Sequence, residues 1–119
     1  MKVMPMTKND CHFGNLRQAI GTLAPGMEDA ATLLQRSGAR IESIASLGAA
    51  SPPGFWYDEA EDEFVLLVAG AAELSFADGS SRRLMPGDWV LLPAHCRHRV
   101  AWTDPNQETL WLAVHLPPG

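Results

Sequence analysis

The chain has 119 residues, 46% hydrophobic and 19% charged, which is the balance of one globular domain and not of a disordered chain. A net charge of −5 argues against nucleic acid, whose affinity rests on Lys and Arg neutralising phosphates. No apolar run approaches the ~20 residues of a membrane span, Met1–Met6 lacks the apolar run of a secretory signal, and two cysteines without a CxxC or disulfide framework fit a reduced, cytoplasmic setting.

Residues 1–26 are weakly patterned and read as an arm, with a short strand near 16–23. Met27, Ala30, Ala31 and Leu34 recur at helical spacing. Glu28 and Asp29 suit the first turn of a helix, Arg36 the last, and Gly38 a C-terminal cap. A short packing helix is therefore expected before residue 39, and residues 1–38 form the arm and helix. From residue 39 the pattern becomes one of strands. Arg40–Leu47 is the first, and Ser51-Pro52-Pro53-Gly54 interrupts it with a loop. Phe55–Asp58 is short and aromatic, and Glu63–Ala69 is an apolar run of strand length. Ala71–Phe76 alternates, Asp78-Gly79 is a hairpin signal, and Arg82–Met85 returns. Pro86-Gly87 turns the chain into Asp88–Leu92. His98–Thr103 and Thr109–Leu116 complete the set. Strands at spacings of roughly 8–12 residues, with tight turns, indicate an all-β sandwich or barrel over residues 39–119. A site then belongs inside the barrel or at its mouth.

Five acids crowd into the run Asp58-Glu59-Ala60-Glu61-Asp62-Glu63. Glu59, Glu61 and Asp62 suit a solvated turn. Asp58 and Glu63 stand at strand ends where alternation can aim them inward. Buried carboxylates need a cation, a proton or a hydrogen-bond donor, and a divalent metal would serve. In Pro93-Ala94-His95-Cys96-Arg97-His98, residues 95 and 98 face opposite ways on a regular strand. His98, in phase with Val100 and Trp102, is the inward one, as a ligand or as a hydrogen-bonded core histidine. Cys96 beside His95 lacks the geometry of an activated thiol, and the spacing matches no common structural zinc pattern. Trp111, Ala113 and His115 share one face of the last strand. The aliphatic face, Leu112, Val114 and Leu116, is the better candidate for packing on a second layer, which leaves His115 towards a polar lumen or solvent. Among the aromatics, Trp56 is kept as a pocket residue because it is in phase with Asp58, and Trp102 because it is in phase with His98. There is no GxSxG elbow, P-loop or Rossmann fingerprint.

Glu63-x6-Gly70 and Gly87-Asp88-x4-Pro93-x4-His98 stand together in register with Pro86 and Trp89. With Gly54–Asp58 and the ending Trp111–His115, they make residues 39–116 resemble a small single-domain cupin of the cupin-2 conserved-barrel kind. The resemblance implies a double-stranded β-helix, the jelly roll. It also implies a divalent metal (Mn, Fe, Zn or Ni) held by two histidines and a glutamate of a first motif and one histidine of a second. Glu63 matches that glutamate and His98 that second histidine. The first-motif histidines fall on Trp56, which cannot ligate, and Asp58, which can. His95 replaces a usual glycine and Trp102 a usual asparagine. The implied site is a reduced one: Asp58, Glu63 and His98 on the metal, with His95 or His115 moving protons. Two functions follow as expectations: a metal-dependent isomerase, lyase or dioxygenase acting on a small organic molecule, or a metal-free ligand-binding or regulatory barrel. A homodimer is expected too, because a short chain with jelly-roll edge strands needs cover.

Overall fold

The computed structural model describes residues 11–119. Eight antiparallel strands form two sheets: β1 (Glu28–Arg36), β2 (Ala39–Ser46), β3 (Asp62–Ala69), β4 (Ala72–Phe76), β5 (Ser81–Leu84), β6 (Trp89–Leu92), β7 (His98–Thr103) and β8 (Thr109–Leu116). The larger sheet runs β1-β2-β8-β3-β6 and the smaller β5-β4-β7. This is the all-β architecture that the turn spacing predicts. The tight turns fall as expected, with Gly79 and Gly87 both at positive φ and the Asp78 carboxylate accepting the Ser80 amide at 2.9 Å.

One element differs. The helix expected after Met27 is not formed, and no helix occurs among the described residues; Glu28–Arg36 is strand β1. The reason is a β-bulge. Ala31 stands opposite Ser43 and Leu34 opposite Ile41, with the register shifted between Thr32 and Leu34. The extra residue turns Ala31 and Leu34, three apart, to the same side, and so imitates a helical stripe. Ser37 and Gly38 have φ of 54° and 82°. Two consecutive left-handed residues between the paired Arg36 and Ala39 make a tight hairpin turn, so the glycine read as a helix cap instead closes β1 onto β2. The part of the expected arm before residue 11 lies outside the described residues; 16–20 turns and 21–23 is irregular, with no strand, and Ile20 and Leu23 pack on Ala45.

The main core lies between the sheets, where Val65, Leu67, Leu74, Leu84, Leu92 and Trp111 cluster. Leu67 is fully buried. On β8, Trp111, Ala113 and His115 face this interior and are buried. The aliphatic side of β8 faces the opposite way. It joins two rows of residues across the large sheet, Leu34–Ile41–Val114–Phe64–Leu91 and Ala31–Ser43–Leu112–Leu66–Trp89. No charged residue interrupts either row, and Trp89 and Leu91 are 63% and 51% exposed.

Candidate functional site

Cross-strand register builds the site. Arg40 of β2 lies opposite His115 of β8, which lies opposite Glu63 of β3. One inward row deeper stand Glu42 and Ala113, also paired, then Ile44 and Trp111. Polar side chains thus gather at one end of the barrel and apolar ones beneath them. From the smaller sheet His98 enters at the start of β7, and the preceding segment is tied to it by paired main-chain hydrogen bonds between Tyr57 and His98 (2.7 and 3.2 Å). The rings of Tyr57 and His98 stack at 5.3 Å.

These groups line a cavity of about 190 Å³, space for roughly six waters at ~30 Å³ each. Its polar end holds Glu42, Glu59, Glu63, His98 and His115, with Arg40 and Tyr57 beside them; Glu28, bonded to Ser46 at the far end of β2, also lines it. Its apolar wall includes Val65, Leu74, Val100 and Trp111. The distances within it are specific. Glu42 Oε1 is 2.8 Å from His115 Nε2, and Glu63 is 3.6 Å from His115 Nε2 and 3.8 Å from His98 Nε2. Glu59 is 3.5 Å from His115 Nδ1, an atom that is buried and has no hydrogen-bond partner. His98 Nδ1–H donates to the Cys96 carbonyl at 2.8 Å, which leaves His98 Nε2 as the acceptor facing Glu63.

Burial is the main cause that pushes the Glu63 carboxyl up to about 7, reinforced by the negative charges of Glu59 and Glu42 and opposed by Arg40. Burial likewise raises the Glu28 carboxyl, which the Ser46 hydroxyl offsets in part. The Tyr57 hydroxyl is raised by burial and by the surrounding glutamates, so it stays neutral and able to donate. The Arg40 guanidinium is engaged by Glu42 at 3.1 Å and Glu61 at 3.7 Å.

The structure brings together three of the residues singled out from sequence, Glu63, His98 and His115, and leaves four outside the cavity lining. Asp58 pairs with His95 Nδ1 at 2.8 Å, and both side chains are substantially exposed (47% and 70%). Trp56 lies beneath Arg97 at 5.8 Å, and Trp102 beneath Arg83 at 4.4 Å. The inward positions of the loop are Tyr57 and Glu59, one residue on from Trp56 and Asp58. Parity would have located them, since 57, 59, 63 and 65 all face inward. Trp102 leaves the phase of His98 because β7 carries a bulge: Val100 stands opposite Leu74 but Trp102 opposite Glu73. Glu42 and Arg40 were missed as well, although both alternate in phase with Ile44 along β2.

The metal set of Asp58, Glu63 and His98 is therefore not assembled. Among the described residues no three His, Cys, Asp or Glu side chains are grouped to hold a metal ion. The donor chemistry is suitable, but its geometry is divergent: Glu59 addresses Nδ1 of His115 while Glu42 and Glu63 address Nε2. The carboxylates flank the imidazole on two sides instead of converging on one point.

A jelly roll whose polar side chains converge at one end of the barrel is the arrangement of a cupin, and the comparisons agree. The cupin-domain family model Cupin_2 matches residues 47–115. The chain belongs to the cupin family. It is similar to a Ralstonia eutropha protein bearing the name "putative mannose-6-phosphate isomerase", at 50% identity over 90% of this chain and 99% of that one, with a TM-score of 0.82. It shares its fold with a cupin 2 conserved barrel domain protein of Salinispora arenicola (24% identity, 89% and 88% covered, TM-score 0.67). A cupin superfamily protein of Desulfitobacterium hafniense is comparable (20% identity, 81% and 83% covered, TM-score 0.67). No curated protein matches the chain. Among the described residues, no helix is long and apolar enough to cross a membrane.

Proposed function

We propose that the barrel cavity binds a small organic molecule and that Glu63, between His98 and His115, is the acid–base group presented to it. The observation that carries this is the position of Glu63: a carboxyl 14% exposed on the wall of a cavity, with imidazole nitrogens at 3.6 and 3.8 Å, where burial pushes it up to about 7. A group that titrates near ambient pH both gives and takes protons efficiently, and carboxyls perturbed by burial beside specific charges concentrate where such chemistry is done. The name of the Ralstonia relative, an isomerase, is in keeping with a proton-transfer site. Neutral Tyr57 supplies a hydrogen bond to orient the molecule, and Leu74, Val100 and Trp111 exclude water from its far side.

Ring-labelled histidine NMR tests this. Titration with a set of small neutral and charged organic molecules is expected to move the ring resonances of His98 and His115. Ligands that perturb only residues on the outward face of the large sheet would overturn the proposal.

A further inference from the structure

Four carboxyl groups line the cavity against one guanidinium, and that guanidinium is already engaged by Glu42 and Glu61. Glu42 lies 2.8 Å from His115 Nε2 and Glu59 3.5 Å from Nδ1. Nδ1 is buried, on a side chain only 5% exposed, and has no hydrogen-bond partner. His98 donates its Nδ1–H to the Cys96 carbonyl and turns Nε2 towards Glu63. A buried polar atom without a partner is destabilising, and an uncompensated cluster of carboxylates more so. A ligand that brings N–H donors and positive charge removes both penalties. One that brings a phosphate or carboxylate meets repulsion and has no free cation to receive it.

We propose that the cavity selects a small amine, seating its ammonium group against Glu59 at the Nδ1 edge of His115 with its apolar body against Leu74, Val100 and Trp111, and that it rejects phosphorylated and carboxylated molecules. This rests on the cavity being the binding site proposed above and adds the class of molecule it takes. It also sets this chain apart from a sugar-phosphate binder, whatever the name of its relative.

Three probes of one shape test it: cyclohexylamine, cyclohexanol and cyclohexanecarboxylate, titrated calorimetrically into the full chain. The amine is expected to bind at least tenfold more tightly than the alcohol, with no detectable binding of the carboxylate. Glu59→Gln, which keeps side-chain size, is expected to lose that preference. Glu73→Gln, the same charge change on the outward face of the small sheet, is expected to keep it. Nuclear Overhauser contacts to the His115 ring place the bound amine whether or not a variant folds. Equal binding of all three probes with contacts to His115 would overturn the selectivity and leave the cavity reading standing. No binding of any probe would overturn both. Mannose 6-phosphate binding more tightly than mannosamine would also overturn the selectivity.

Discussion

Replacing Glu63 by Gln should make the protein more stable at pH 8 and change it little at pH 4.5. The carboxyl is raised from 4.5 to about 7 in the folded protein, so between those values the folded state keeps a proton that the unfolded chain has released. Where the native state binds more protons, stability falls as pH rises. A shift of that size corresponds to about 3 kcal/mol, lost progressively from pH 4.5 to just above 7. Glu63 is 14% exposed, so solvent screens it little. Gln has nearly the shape of the protonated acid, and it carries no charge for Glu59 and Glu42 to repel. The variant should therefore escape the loss and gain up to about 3 kcal/mol at pH 8, or roughly 10 °C in Tm for a domain of this size. Denaturant and thermal melts of both proteins from pH 4.5 to 8.5 measure it. Glu28, also raised, contributes to both curves with the same sign, so the difference between them isolates Glu63. Parallel curves, or a variant destabilised equally at every pH, would refute the reasoning that burial without a compensating partner governs this carboxyl.

Gly70 has φ of +88°, and a Cβ there would lie 2.6 Å from Thr109 Cα and 2.8 Å from the Glu108 carbonyl oxygen. Gly70→Ala should cost about 2–5 kcal/mol from left-handed strain and backbone overlap together, read as a lower denaturation midpoint at unchanged slope. Elemental analysis of untagged protein purified without chelator, then reconstituted with Mn²⁺, Fe²⁺ or Zn²⁺, should find no stoichiometric metal, because the carboxylates flank His115 instead of converging; a full equivalent lost in Glu63→Ala and His98→Ala would overturn that geometry. Residues 16–23 cover the outward face of the large sheet at Ser43 and Ala45, and the remainder leaves Trp89 and Leu91 63% and 51% exposed, an apolar patch of the kind that marks an interaction surface. Light scattering should therefore report twice 12.9 kDa, and Trp89→Glu with Leu91→Lys should give monomer; a monomeric parent chain would remove the second copy as the cover of that face.

The strands and turns of residues 39–116 were legible because their signals are local. Period-two alternation puts Leu74 and His98 inside, and Asp78-Gly79 and Pro86-Gly87 need left-handed glycines wherever they occur. Glu63 and His98 were legible as inward groups on the same ground. The rest depends on register, and register is set between strands. The bulge at Thr32 and Leu34 shows only against β2, so alone the segment reads as a helix. The bulge in β7 that carries Trp102 outward shows only against β4. The spacing of the resembled motif places Trp56 and Asp58 in the site, whereas pairing with His98 places Tyr57 there. Glu42 meets His115 because β2 and β8, some seventy residues apart in sequence, lie side by side in the sheet. Which residues alternate is a property of the chain by itself. Which of them face one another, and hence how much unpaired negative charge one cavity must hold, is decided only when the sheets close.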